Sequence, residues 1–232
     1  MIAIILAGGR GTRMAPLTDT LPKPMLKVLD KNLLEWKLEA LPQNVTKIVF
    51  VVGYLGEKIR EHFGSSWKGI PIEYVEQGVL DGTGGAIALC EHLVEDRALI
   101  MMGDDIYDAR DLATLAQHPF SMLVMDKGEE ARSIKAGKVV EKDGLFLGLN
   151  EGFAQTGIET TLINAAAYTI SKPYFSYEKV KFSEKEYGLP HTLASVAKNH
   201  PVHVIKTTEW IQVTTPECLD KAAKEITQKA SQ

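Results

Sequence analysis

The 232-residue sequence predicts an α/β fold, a mostly parallel sheet with helices on both faces and an added antiparallel lid. Two observations carry this. Through the first half, short apolar runs alternate with helical spacings, and each run closes on small or polar residues. Past Met125 the alternation gives way to a hairpin signal and longer polar connections.

Residues 2–6 are a short apolar run, suited to a strand buried on both faces. A loop of small residues follows, with Gly8, Gly9 and Gly11. Residues 33–41 have helical spacing, residues 47–52 (KIVFVV) form a second buried strand, and residues 55–63 are helical. Residues 72–75 are a third strand and residues 83–95 a helix opened by glycines. Residues 98–102 are a fourth strand, ending at Gly103-Asp104-Asp105. Ligands of such sheets bind beyond the carboxyl ends of the strands. The glycine loop and the Asp pair both sit there, so they are expected to line one cleft.

In the second half, residues 138–141 and 145–149 flank Asp143-Gly144, a dipeptide that closes tight hairpins. Residues 163–170 are a strand, a helix is expected near residues 193–198, and residues 202–205 are a strand. Residues 216–229 make a closing helix, with Thr215 as its N-cap and Pro216 in its first position. No repeat or linker divides the chain, and residues 1–232 are expected to form one domain.

With 45% hydrophobic and 24% charged residues, the composition is that of a soluble globular protein. The start, MIAIILAGG, lacks the basic region of a signal peptide, and no apolar stretch is long enough to span a bilayer. A cytoplasmic protein with no membrane partner is expected. Cys90 and Cys218 belong to no CxxC pair, which argues against a disulfide scaffold or a zinc site. A net charge of −4 argues against nucleic acid as a partner. A polyanion would then need a local concentration of cations. In the first thirty-one residues Arg10, Arg13, Lys23, Lys27 and Lys31 face only Asp19 and Asp30. A solvated surface would explain a basic cluster alone; here it follows a glycine-rich turn.

That turn, LAGGRGTRM, is neither a Walker A loop, since no Lys-Ser/Thr follows, nor a GxGxxG fingerprint, since Met14 replaces the last glycine. Its backbone N–H groups can still converge on phosphate oxygens, with Arg13 and Lys23 adding charge. With PLTDTLPKPML after it, the segment resembles the signature of the sugar-1-phosphate nucleotidylyltransferases, the glucose-1-phosphate thymidylyl- and uridylyltransferases among them. The resemblance continues in EQGVLDGTGGAI and MMGDDIY and returns at WIQVTTPE.

The resemblance implies a Rossmann-like sheet with an added sugar-binding lid. Residues 1–125 would form the nucleotide-binding core and residues 126–232 the sugar-binding part and closing helix. It implies transfer of a nucleoside monophosphate from a nucleoside triphosphate, UTP or dTTP favoured, to a sugar 1-phosphate, with Mg2+ as cofactor. Leu6, Ala7, Gly8, Gly9, Gly11 and Thr12 would cradle the nucleotide, and Gln77, Gly82 and Thr83 would read a pyrimidine. Arg13 and Lys23 would contact the phosphates, and Asp104 would bind magnesium. Glu151 and Asn164 would hold the sugar, although Gly152 stands where the family has lysine. Gln212 falls where the family places a second metal carboxylate; one branch, the N-acetylglucosamine-1-phosphate uridylyltransferases, uses an amide there.

The chemistry agrees, because a phosphate oxygen is already an anionic nucleophile and catalysis depends on positioning and charge neutralisation. The six histidines show no paired spacing and read as structural or surface residues. Thr83 is also placed to cap the helix it opens. Two other readings stand. One is a cytidylyltransferase acting on a phosphate such as phosphocholine, with Tyr107, Tyr168, Tyr174, Phe175 and Tyr177 as a source of aromatic faces. The other is a catalytically weak regulatory protein that binds sugar nucleotides. The oligomeric state is left open, with a homo-oligomer among the partners considered.

Overall fold

The structure is a computed structural model that describes residues 1–134 and 136–230. In chain order the first half holds β1 (Ile2–Leu6), β2 (Lys27–Val28), β3 (Lys31–Asn32), α1 (Leu33–Glu39), β4 (Lys47–Val52) and α2 (Gly56–Phe63). It continues with β5 (Ser66–Trp67), β6 (Ile70–Glu76), α3 (Thr83–Ala88), β7 (Arg97–Met102), β8 (Asp105–Ile106) and α4 (Ala109–Leu115). The second half holds β9 (Ser121–Asp126), β10 (Lys138–Lys142), β11 (Leu145–Asn150) and β12 (Leu162–Ser171). After them come α5 (Leu189–Val196), β13 (His203–Thr207), β14 (Ile211–Gln212) and α6 (Pro216–Ala230).

The strands β7, β1, β4 and β6 are parallel neighbours, with Ile4 level with Val49 on one side and Ile100 on the other. Buried on both faces, β1 sends Ala3 and Ile5 toward Leu34, Leu38, Ile59 and Leu112 of α1, α2 and α4. Ile4 faces Ile87, Leu189 and Leu193 of α3 and α5 instead. Each such side chain stabilises the fold by roughly 1.5–3 kcal/mol through burial. A third cluster lies beneath the glycine loop, where Met14, Leu26 and Leu33 meet Ile106, Ile211, Val213 and Ala222. The turn into α1 is secured by a capping box: Asn32 Oδ1 accepts from Glu35 N at 2.9 Å, and Glu35 Oε2 accepts from Asn32 N at 2.7 Å.

The α/β class and the Rossmann-like parallel core are as the sequence predicts. The antiparallel addition is built into the sheet itself. β12 pairs antiparallel with both β7 and β9, and β13 runs parallel to β9. The hairpin β10–β11 turns at Asp143 and Gly144, both at positive φ as a two-residue turn requires. A pairing of Lys138 with Ile163 brings β10 back to β12 and curls five strands into a closed ring.

Three helical expectations shift. The helix expected over residues 83–95 ends at Ala88 and resumes only as a tight turn at Glu91–Leu93. The helix expected near residues 193–198 runs Leu189–Val196, with Pro190 in its first turn, where a missing N–H costs nothing. Thr83 does not cap α3: Gly82 holds the cap position, and the Thr83 hydroxyl accepts instead from Leu189 N at 2.9 Å, at the start of α5. No helix among the described residues is long and apolar enough to cross a membrane.

Candidate active site

The loop after β1 is pressed onto the end of β4. Gly8 O accepts from Tyr54 N at 3.1 Å, and a Cβ on Gly8 would lie 3.2 Å from Gln77 Oε1. Gly11 sits at φ 63°, where a Cβ would come within 2.8 Å of Lys23 Cβ. Gly9, by contrast, borders open space. A cavity of about 240 Å³ results, lined by Leu6, Ala7, Gly9, Gly11, Thr12, Arg13, Lys23 and Asp104. The glycine loop and the first aspartate therefore do share one cleft.

Within it, Lys23 is buried and its Nζ stands 2.5 Å from Asp104 Oδ2. The exposed Arg13 makes no ion pair among the described residues. The two aspartates diverge. Asp104 is a third exposed at the cavity, while Asp105 is buried. Burial, then the neighbouring Asp104 charge, pushes the Asp105 carboxyl well above the usual range, and the Lys37 charge opposes them. Lys37 is itself buried, its Nζ donating to Leu33 O at 3.0 Å, and burial pulls its ammonium down. Asp104 is thus the carboxylate that faces the cavity, with Lys23 on one of its oxygens.

No group of three or more His, Cys, Asp or Glu among the described residues could cage a metal. One carboxylate on a cavity that also holds two cations still suits magnesium, which keeps several waters and shares itself with substrate phosphates. Gln212 lies in β14 opposite Asp105, exposed and outside the cavity lining. Two residues on, Thr214 lines the cavity.

Gln77 is buried and its Nε2 donates to Gly82 O at 3.5 Å. Gly82 has φ 91°, and a Cβ there would stand 2.4 Å from Tyr187 O, so the position admits only glycine. Gly82 and Thr83 form one wall of a second cavity, of about 210 Å³. Glu151, Asn164 and Tyr168 line it from β12 and the end of the hairpin, Phe182 and Glu186 from the segment leading into α5, and His191 from α5 itself. A bulge in β12 between Asn164 and Tyr168 puts Ala166 at φ 56°. Asn164 braces it, accepting from Ala166 N at 3.0 Å and donating to Tyr168 Oη at 2.6 Å. Burial raises the Glu151 carboxyl, and His191 counters it.

Met102 lines the second cavity and Gly103 and Asp104 the first, so both open at the carboxyl end of β7. Of the aromatic residues considered for a choline cage, only Tyr168 lines this second cavity; Tyr107 and Tyr174 are buried in the core clusters. A larger concavity of about 870 Å³, bordered by Asp126, Lys138, Glu141 and Lys206, contains none of the expected site residues.

Thr214, Phe182, Glu186 and His191 were not expected.

The sequence profile of the nucleotidyl transferase family matches residues 2–122, more than half of the chain. The chain belongs to the nucleotidyl transferase family. It is 32% identical to the bifunctional protein GlmU of Methanocaldococcus jannaschii over 99% of this chain and 55% of that protein. It is also 32% identical to the D-glycero-alpha-D-manno-heptose 1-phosphate guanylyltransferase of Campylobacter jejuni, over 79% of this chain and 84% of the relative. This nucleotidyltransferase chain spans about half the length of the GlmU relatives it matches.

Two solved structures share its fold. A UDP-glucose pyrophosphorylase complexed with UDP-glucose superposes with a TM-score of 0.79 at 22% identity, covering 99% of this chain and 100% of the other. The inositol-1-phosphate CTP transferase of T. maritima superposes with a TM-score of 0.78 at 22% identity, covering 98% and 94%.

Proposed function

We propose that this chain transfers a nucleoside monophosphate from a nucleoside triphosphate, UTP or dTTP preferred, to a sugar 1-phosphate. The observation that carries this is the meeting of two cavities at the end of β7, one lined with cations and a carboxylate, the other with sugar-type ligands. A phosphate oxygen of the acceptor attacks the α-phosphorus, the bond to the bridging oxygen breaks, and pyrophosphate leaves with that electron pair. No side-chain nucleophile is needed.

The Gly9–Thr12 backbone would seat the phosphates, with Arg13 and Lys23 set against charge that builds on the departing group. Lys23 also holds Asp104 in place before any substrate arrives. Magnesium, held by Asp104, would supply further positive charge to the phosphate oxygens; Gln212, exposed and outside the cavity lining, is not placed to join it. Gln77, fixed beside Gly8, offers an amide that both donates and accepts, which suits a pyrimidine imide edge. A single chain holds both halves of the site, supporting residues 1–232 as one catalytic domain.

A pyrophosphate-release screen of the common nucleoside triphosphates against a panel of sugar phosphates tests the proposal. Release with UTP or dTTP and a sugar 1-phosphate, dependent on magnesium, is the expected result. A better rate with ATP or GTP would overturn the role given to Gln77, and no release with any pair would overturn the activity.

A further inference from the structure

From Ala7 to Gly11 the chain belongs to no strand or helix, and Gly8, Gly9 and Gly11 make up most of the stretch. The N–H groups of Gly9, Arg10, Gly11 and Thr12 donate to nothing among the described residues. A glycine-rich run of this kind loses much conformational entropy when it closes around phosphates, unless it is held beforehand.

Its fixed points are few. Ala7 N donates to Val51 O at 2.8 Å, and the Thr18 hydroxyl donates to Gly11 O at 3.1 Å. Between these two, Tyr54 reaches the loop from the turn that joins β4 to α2. Its N–H donates to Gly8 O at 3.1 Å, which turns the Gly9 N–H of the same trans peptide the opposite way. Its ring lies under the Arg10 guanidinium, 5.5 Å from the ring centroid. Its hydroxyl donates to Asp19 O at 3.2 Å, in the connection that runs on to Lys23. Arg10 is the only residue between Ala7 and Thr12 that is not glycine, so no other side chain of this stretch can anchor its apex.

The backbone of Tyr54 is fixed without help from its side chain. Gly53 packs on Gly8, where a Cβ would fall 2.8 Å from Gly8 O, and Leu55 follows at φ 54°. Tyr54 does not line the cavity beside the loop. Building on the nucleotidyl-transfer reading, we infer that Tyr54 is a positioning residue, which holds the glycine loop in its phosphate-receiving shape before the triphosphate arrives. An exposed cation–π contact and a single hydrogen bond are each worth roughly threefold in an equilibrium. Together they favour the held shape by about tenfold, a factor that passes into the apparent affinity for the triphosphate.

Tyr54→Leu tests this, because it keeps the backbone contacts and removes the ring and the hydroxyl. The KM for UTP or dTTP is expected to rise about tenfold, with kcat and the acceptor KM within about twofold of the unaltered chain. Tyr54→Phe, which keeps the ring, should raise that KM only about threefold. Arg10→Leu should also raise it about threefold and should add nothing to Tyr54→Leu, since the two substitutions remove one shared contact.

An unchanged triphosphate KM in Tyr54→Leu overturns the inference and leaves nucleotidyl transfer standing. So does a fall in kcat with both KM values unchanged, the mark of fewer folded molecules. Additive effects of Arg10→Leu and Tyr54→Leu overturn it as well, because the loop would then be held without the ring. If no acceptor is turned over with any triphosphate, the activity reading fails. Calorimetric titration with UTP and with dTTP, each with magnesium, then decides the inference. Binding about tenfold weaker in Tyr54→Leu upholds it; equal binding, or none by the unaltered chain, overturns it.

Discussion

Lys23 and Arg13 face the same cavity with unequal freedom. The Lys23 ammonium is buried against Asp104, whereas the Arg13 guanidinium is exposed and unpaired among the described residues. Removing either should slow pyrophosphate release by about a hundredfold, the cost of losing one preorganised charge at the transition state. Only Lys23→Ala should also lower stability, by roughly 1 kcal/mol, because it removes the ion pair that ties the loop to the end of β7. Urea denaturation alongside the rate assay separates the two; equal losses of stability would contradict the geometry.

The cysteines differ as sharply. Burial pushes the Cys90 thiol up to about 12. Burial also raises Cys218, but hydrogen bonds from Thr215 and the Thr214 backbone outweigh it and bring the thiol down to about 7. Thiolate is the reactive form, so Cys218 should alkylate roughly tenfold faster per pH unit up to about pH 7 and then level off. Cys90 should stay inert across that range. Mass spectrometry of iodoacetamide-treated protein reads both, and a Cys218 rate still climbing steeply above pH 8 would refute the lowered value.

At the scale of elements, the acceptor wall is held by contacts that allow no side chain. Gly82 lies against Tyr187, Gly152 against Phe182, and Tyr187 N donates to Asp81 O at 2.7 Å. Gly152→Lys should therefore displace the covering segment. The expected outcome is a loss of at least 1–3 kcal/mol from backbone strain and a raised KM for the acceptor, with triphosphate binding intact. An unchanged acceptor KM would show that the segment is not part of the site.

Such contacts also explain what could be read in advance. β1, β4 and β7 are unbroken apolar runs whose burial on both faces is legible in composition, and the Asp143-Gly144 turn is legible in two residues. The glycine loop, Arg13, Lys23 and Asp104 follow from a dense local motif. The two-residue strands β8 and β14 were not legible, because each exists only through the other. β9 has a single β-branched residue, Val124, and α4 is seven residues long, so neither carried a strong signal. His191 and Glu186 belong to the site through tertiary contacts made 35 or more residues from Glu151, which no local pattern encodes.

At the scale of the whole molecule, the glycine loop stands on residues from the far end of the chain. Met14 shares a cluster with Val213 and Ala222 of the last elements. Val213→Ala should cost roughly 2 kcal/mol by leaving a cavity there, and it should raise the KM for the triphosphate although Val213 touches no ligand. A stability loss with unchanged triphosphate KM would mean that the loop is held by its own turn alone. The same arrangement has a consequence in time. Every residue proposed to grip the phosphates has been synthesised once Asp104 is added, yet β8 has no partner until Ile211 and Gln212 follow about a hundred residues later. That interval is roughly 5–20 s of synthesis. Until it ends, a nascent chain carries the glycine loop above an open apolar floor, a state that calls on chaperones and invites aggregation, and one that premature termination anywhere before residue 211 would make permanent.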